Sequence, residues 1–332
     1  MSLSESISLA WEAAQCPGAA IAYISDGQIS IVNIGTRDIA TRQPITDRTV
    51  FDAASLTKPI ISYAVLQLVD QGILDLDVPL SNFTTSIISN NPLFSKITVR
   101  HILTHTSGLP NLKENESIQV YFEPGTRYSY SSIGFMFLQK ALEVLINESL
   151  ESTIRRMVFE PLCMTQSSLI WNDRFEKNIA TPHENGERLE KHRPLQPNAS
   201  YSLQTTAADY GRFVAAVLQG IRLKPKTYDE WLRPAVNAPK ESSSQLQDAS
   251  AIISKEIAWG LGWGLEPGCS TFFQWGKMNG IRAFVMGSKN LNSGIVLLTN
   301  GNTGLRLVDS AIKSFSPIYH PSVQWLENCV TE

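Results

Sequence analysis

The sequence has no run of basic residues, no uninterrupted apolar stretch of bilayer length and no closely spaced pair of cysteines. Each of these gaps removes a class of function. Nucleic-acid binding normally needs a basic patch or stripe, whereas here 28 Lys and Arg are outnumbered by 31 Asp and Glu, for a formal net charge of −3. A membrane-spanning helix needs roughly 18 consecutive apolar residues, and no segment reaches that length. The cysteines Cys16, Cys163, Cys269 and Cys329 stand far apart, so no metal site is expected and reduced cysteines are. The opening residues, MSLSESISLAWEAAQCPG, carry neither a basic start nor an apolar core of the secretory kind, so a cytoplasmic protein is expected. Internal repeats, low-complexity tracts and a glycine-rich phosphate loop are missing too, and no cofactor is expected.

What is present is enough apolar material for a large core: 332 residues, 43% hydrophobic and only 18% charged, which suits one large domain or two intergrown ones. The run Ala19 to Ser25, then Asp26-Gly27, then Ile29 to Ile34 predicts a hairpin with a DG turn. Helical spacing of Ile61, Ala64, Val65 and Leu68 predicts a helix from Ile60, with Gly72 at its C-terminal end. Further helices are expected over Val99–Thr104, Ile133–Asn147, Leu150–Phe159, Thr206–Leu218 and Gly304–Phe315. Strands are expected over Phe272–Trp275, Ile281–Met286 and Gly294–Thr299. Lys113–Glu116 and Lys240–Ser250 read as mobile polar loops. Strands at both ends and helices between them predict an α+β fold. The antiparallel β-sheet would be flanked by helices, with an all-helical part (about 54–204) inserted into the sheet part (about 1–53 and 205–332).

Three segments carry chemistry. In Phe51-Asp-Ala-Ala-Ser-Leu-Thr-Lys-Pro59, Ser55 and Lys58 are three residues apart, which on a helix puts them on one face. A serine hydroxyl is a weak nucleophile until a base takes its proton. A lysine whose pKa is lowered by desolvation can be that base. A serine at a helix start also has a backbone N–H available for an oxyanion. The second segment, Pro124-Gly-Thr-Arg-Tyr-Ser-Tyr-Ser-Ser-Ile-Gly134, brings Tyr130, a proton acceptor or relay, and Ser132, a donor to substrate. The third, Phe273-Gln-Trp-Gly-Lys-Met-Asn-Gly280, holds Gly276, where a ligand can approach a strand closely. The N–H of Lys277 that follows is a candidate second oxyanion donor. Taken singly, each segment has a plainer explanation: a surface helix, a capping loop with packed tyrosines, an edge strand. Their joint presence is the signal.

In this order the three segments resemble the serine β-lactamase and penicillin-binding-protein superfamily, in particular its class C-like branch, which includes esterases. Leu68–Asp77, Ile102–Leu109, Pro161–Met164, Gly260–Gly264 and Ile295–Asn300 carry the same resemblance, which runs from about residue 15 to residue 315. It implies Ser55 as nucleophile, Lys58 as its paired base and Tyr130 as the tyrosine of a Y-x-N motif. It leaves His101 and His105 structural. Two departures stand out. Ser132 replaces the expected asparagine, and Gln274-Trp275-Gly276 replaces K-T-G.

In the β-lactamases the K-T-G lysine favours a substrate carboxylate, a task a neutral glutamine does not perform. Trp275 adds apolar surface, and Arg282 is a nearby source of charge. The resemblance therefore implies a serine hydrolase acting through an acyl-enzyme, with a small-molecule ester, amide or lactam as substrate and a carboxylic ester with a small uncharged acyl group favoured. D-amino-acid peptidase or amidase, acyltransferase and weak β-lactamase activities use the same machinery. A non-hydrolytic binding module would keep the cleft without the chemistry.

Overall fold

The computed structural model describes residues 3–83, 91–111 and 118–330. Turn chemistry sets its first hairpin. Asp26 and Gly27 both take positive φ, 48° and 79°, the pairing a tight primed turn requires. Strands β1 (Gly18–Ser25) and β2 (Gln28–Asp38) accordingly pair in register from Ser25↔Gln28 to Gly18↔Gly35. Ahead of them runs α1 (Leu3–Ala14). After β3 (Gln43–Pro44) and β4 (Phe51–Asp52) the chain enters a helical block. This block comprises α2 (Thr57–Asp70), α3 (Val99–Leu103), α4 (Ser132–Ile146) and α5 (Leu150–Ile154), with the short pairs β5 (His183–Glu184) and β6 (Glu187–Arg188) and the strand β7 (Gln204–Thr205). Then come α6 (Ala207–Gln219) and α7 (Pro225–Trp231).

The chain next returns to the sheet through β8 (Val236–Pro239), β9 (Ile253–Trp259), β10 (Gly264–Glu266), β11 (Thr271–Met278), β12 (Ile281–Ser288) and β13 (Ser293–Thr299). It closes with α8 (Val308–Lys313) and α9 (Pro321–Val330). The main sheet has 9 strands in the order β3-β2-β1-β13-β12-β11-β10-β9-β8, and its ladders are antiparallel. The α+β architecture, an antiparallel sheet flanked by helices with a helical insertion, is as expected.

Both faces of the sheet are covered, which is why its central strands are apolar throughout and do not alternate with polar residues. Along β1, Ala20, Ala22 and Ile24 join the core shared with α2 and α6, while Ala19 and Ile21 join the core under α1, α8 and α9. All 7 residues of β13 are buried.

The helices obey their local signals. Past the end of α2, Gly72 takes φ 71°, its N–H bonds Val69 O, and Ile73 N–H bonds Leu68 O. This is the two-bond glycine terminus anticipated there. The helix itself begins three residues earlier than its apolar spacing indicates, because Pro59 falls in its first turn, where a missing N–H costs nothing. Thr206 caps α6 by accepting from Asp209 N.

The Leu150–Phe159 segment splits into α5 and a π turn over Arg155–Phe159, and Gly304–Phe315 into a 3-10 turn and α8. The elements without a signal legible in the sequence include α1, α7, α9, β8, β9 and the very short β5, β6, β7 and β10, which are short, edge-lying or mixed in polarity. The Lys240–Ser250 loop follows β8, and Tyr130 N–H donates to its Ser243 carbonyl at 2.9 Å. Lys113–Glu116 lies outside the described residues. No helix among the described residues is long and apolar enough to cross a membrane. The 4 cysteines are unpaired, with Cys16 buried and Cys163 exposed.

Candidate active site

Ser55 is placed by a strand that stops abruptly. β4 pairs with β7, and Ala53 N–H donates to Leu203 O at 2.8 Å. Ala54 then takes φ 47°, a left-handed conformation costly for a residue with a Cβ, and turns the chain into α2. Ser55 stands at this turn, one residue before the Leu56 N-cap. Three bonds brace the turn: Thr57 Oγ1 donates to Ala54 O at 2.7 Å, Leu203 N–H donates to Thr57 Oγ1 at 3.0 Å, and the Tyr210 hydroxyl donates to Leu56 O at 2.9 Å.

Lys58, in the first turn of α2, is only 1% exposed. Its Nζ lies 3.0 Å from Ser55 Oγ, 3.3 Å from Ser132 Oγ and 2.9 Å from Ser200 O, over the rings of Tyr130 and Phe135. Burial without a carboxylate partner pushes its pKa well below that of an ordinary lysine. A neutral amine has two N–H groups and one lone pair. With Ser200 O and Ser132 Oγ taking the hydrogens, the lone pair is left for the Ser55 proton.

Tyr130 precedes α4. Its hydroxyl is hydrogen-bonded to Ser55 and accepts from Gln274 Nε2 at 3.0 Å. Burial raises its pKa further than these two bonds lower it, so the group is a phenol at neutral pH. His105 supports it from behind, stacked with ring centroids 4.2 Å apart. His105 Nδ1 accepts from Ser131 N–H at 3.0 Å. Burial, with a contribution from Lys58, pushes the His105 pKa well below its usual value, so the ring is neutral. The expectation that both histidines are structural agrees with this placement: His101 closes a capping box with Thr98 at the start of α3.

The third segment divides. Trp275 and Lys277 line the cleft in front of Ser55. Gln274 does not: it is 0% exposed, behind Tyr130, and its Oε1 has no hydrogen-bond partner. A Cβ on Gly276 would come within 2.5 Å of Ala53 O, so only glycine lets β11 lie this close to the backbone leading to Ser55. Lys277 turns its Nζ to Val330 O at 2.8 Å. Arg282, a nearby charge in the sequence, donates instead to the carbonyls of Met278 and Ile281, each at 2.8 Å, and is absent from the cleft wall.

The cleft encloses about 900 Å³, within the range of small-molecule sites. Several of its residues carry no motif and escape a sequence reading. Asn111 accepts from Ser132 N–H at 3.1 Å and shares the wall with it. Asp52, one strand step before the Ser55 turn, is buried with Oδ2 unpartnered. His192, Glu190, Tyr201, Cys329 and Val330 also line it. Spacing could have flagged Asp52 alone, since only it is close to Ser55 in the chain.

Away from the cleft, Glu266, Cys269 and His320 hold one potential metal-ligand atom each within 4.8 Å of one another. Their atoms are already engaged: His320 Nδ1 with Glu266 Oε2 at 2.7 Å, Ser322 N–H with Glu266 Oε1 at 2.7 Å, and Cys269 Sγ with Tyr319 O at 3.7 Å.

Residues 4–313 match the family model described as Beta-lactamase. Among curated proteins, Protein flp of Staphylococcus aureus (strain MRSA252) is 22% identical over 313 residues, covering 86% of this chain. The chain spans 60% of the length of that relative. Among solved structures, the octameric penicillin-binding protein homologue from Pyrococcus abyssi superposes with a TM-score of 0.80 at 21% identity, over 93% of this chain and 76% of that one. A class C beta-lactamase superposes with a TM-score of 0.79 at 21% identity, over 96% of each chain.

Proposed function

Since this chain belongs to the beta-lactamase family, we propose that it is a serine hydrolase working through an acyl-enzyme on Ser55, with small uncharged carboxylic esters as its substrates. The observation that carries the reading is the buried Lys58 amine set 3.0 Å from Ser55 Oγ, with its other contacts consumed by Ser200 and Ser132. In the proposed cycle Lys58 takes the Ser55 proton as Oγ attacks the ester carbonyl. The N–H groups of Ser55 and Lys277 receive the oxyanion. As the carbonyl re-forms, the leaving alkoxide departs with a proton delivered through the Tyr130 hydroxyl. Water, deprotonated by the same pair, then attacks the acyl carbon and releases the acid and Ser55. Ser132 and Asn111 supply donors along the acyl group, and Trp275 an apolar wall.

The preference for an uncharged ester over a penicillin rests on charge. Among the described residues, Lys277 is the one lysine or arginine on the cleft wall, and its ammonium is engaged by Val330 O. The family's usual cationic position is Gln274. We also propose that the cleft lies between two subdomains, the helical one at about 54–204 and the sheet one formed by 1–53 and 205–332.

A second reading, hydrolysis of D-amino-acid amides, is favoured by Asp52 and Glu190 on the same wall, which suit an ammonium group. Initial rates of wild type and Ser55→Ala on p-nitrophenyl butyrate, a chromogenic cephalosporin and a D-alanine p-nitroanilide separate these. Loss of the nucleophile lowers kcat by about 10³-fold or more. Ester turnover lost in Ser55→Ala, with little cephalosporin turnover, supports the proposal. Rapid cephalosporin turnover overturns the ester preference, and selective turnover of the anilide favours the second reading.

A further inference from the structure

The family match ends at residue 313, yet the cleft is not finished there. Helix α9 begins at Pro321 and reaches the cleft with its last described turn, where Cys329 and Val330 join Ser55 and Trp275 on the lining. Its placement is firmly built. At its start, Glu266 accepts from Ser322 N–H and pairs with His320, both at 2.7 Å, with His320 and Glu266 at 1% and 0% side-chain exposure. At its middle, Trp325 packs edge-on to Trp275 with centroids 5.2 Å apart and donates from Nε1 to Pro239 O at 2.8 Å. At its end, the Val330 carbonyl accepts from Lys277 Nζ at 2.8 Å.

Two consequences follow for a substrate. Cys329 and Val330 bound the cleft on the lining they share with Trp275, so a substrate group reaching this wall meets them. Burial, assisted by Glu241, pushes the Cys329 thiol up to about 12, so this surface is uncharged at neutral pH. The carbonyl at the helix end also gives the Lys277 ammonium a partner inside the protein. A substrate carboxylate has to compete with that partner.

We propose that α9 is the specificity wall of this cleft: its last turn limits the size of the substrate group accepted and, through the Val330 carbonyl, suppresses selection of carboxylate-bearing substrates by Lys277. The proposal rests on the serine-hydrolase reading of Ser55.

The test uses the full chain with Val330→Ala, Val330→Trp and a deletion of residues 328–332. The deletion keeps Trp325 and the Glu266–His320 pair. The readouts are kcat/KM for p-nitrophenyl butyrate, p-nitrophenyl octanoate and the p-nitrophenyl half-ester of succinate, and labelling rates of Ser55 by a short-chain and a long-chain fluorophosphonate. A few methylenes are worth about 10-fold or more in discrimination. The octanoate-to-butyrate ratio and the long-to-short labelling ratio are therefore expected to rise about 10-fold in the deletion, to rise less in Val330→Ala and to fall in Val330→Trp. The half-succinate is expected to gain on butyrate in the deletion alone. If the deletion does not fold, the opposed shifts of the two point variants carry the size limit. Unchanged ratios in variants that still label at Ser55 overturn the wall. Wild type that labels with neither probe and hydrolyses no ester overturns the serine-hydrolase reading, and the wall with it.

Discussion

Gln274 gives its Nε2 hydrogen to the Tyr130 hydroxyl across 3.0 Å, from a position with no exposure to the cleft. The residue at the usual carboxylate-recognising position is thus turned inward, onto Tyr130, the proposed proton relay. Its second hydrogen goes to the Trp275 carbonyl at 3.1 Å, which fixes the side chain within its own strand. Gln274→Leu keeps the volume and removes the donor. A net hydrogen bond is worth about 1 kcal/mol, so kcat is expected to fall roughly 5- to 10-fold with KM nearly unchanged. Steady-state kinetics on one ester check this; a KM effect without a kcat effect would contradict it.

The Lys58 assignment makes a pH statement. Its folded pKa lies well below the unfolded value of 10.5, so activity requiring the neutral amine should fall as pH drops through the folded value. Neutral His105 adds no limb of its own near pH 6.5. Lys58→Arg, which cannot lose its proton, is expected to lower kcat by about 10³-fold or more. Stability runs the same way. Between the two pKa values the unfolded chain binds a proton that the native protein does not, so wild type should gain stability as pH rises toward 10.5. Thermal melts of wild type and Lys58→Met across this range test it: the gain should be absent from the variant.

The Glu266–His320 pair anchors α9 at near-zero exposure. Burial opposes the Glu266 charge, but the bonds from His320, Ser322 and Thr271 outweigh it and hold the carboxyl below its ordinary value. Its contribution is therefore fully present above the unfolded pKa and lost as pH falls through the lower folded value. Glu266→Gln should cost about 3 kcal/mol at pH 7, and the gap from wild type should close in acid. Denaturant melts at pH 7 and pH 3.5 measure both; a gap that widens in acid would refute the assignment.

Gly276→Val places a side chain where even a Cβ would come within 2.5 Å of Ala53 O. β11 must then move off the Ser55 turn. The loss of one oxyanion donor costs about 10²- to 10³-fold in kcat. That loss is expected here with Ser55 still present and the fold retained, and circular dichroism beside kinetics distinguishes the two effects.

Much of this was legible in the residues. The DG hairpin, the α2 glycine terminus and the Thr206 cap each depend on contacts within a few positions, and β13 was readable from its unbroken apolar run although its partner β1 lies at the other end of the chain. The Ser55–Lys58 pair is local too, its spacing a single helical turn. Tyr130 was readable only beside that pair. The other features were not local. Asn111 meets Ser132 across 21 residues, Val330 meets Lys277 across 53, and Gln274 meets Tyr130 across 144. No periodicity encodes such meetings. Gln274 was expected at the substrate, and strand alternation alone did not reveal that it faces Tyr130 from within the core. Helix α9 was passed over because its composition is mixed and its apolar face shows only once β9 and β11 are there to receive it.

Ala54 holds a left-handed backbone with a side chain that resists it, and this tension is stored at the residue before Ser55, the proposed nucleophile. Glycine there would relieve the strain but widen the conformations open to the turn. Ala54 therefore narrows the conformations open to the turn that carries Ser55, at a cost in backbone strain. Selecting variants of this protein for heat resistance would press on position 54 early, and a glycine there would exchange that strain for a looser turn under the proposed nucleophile.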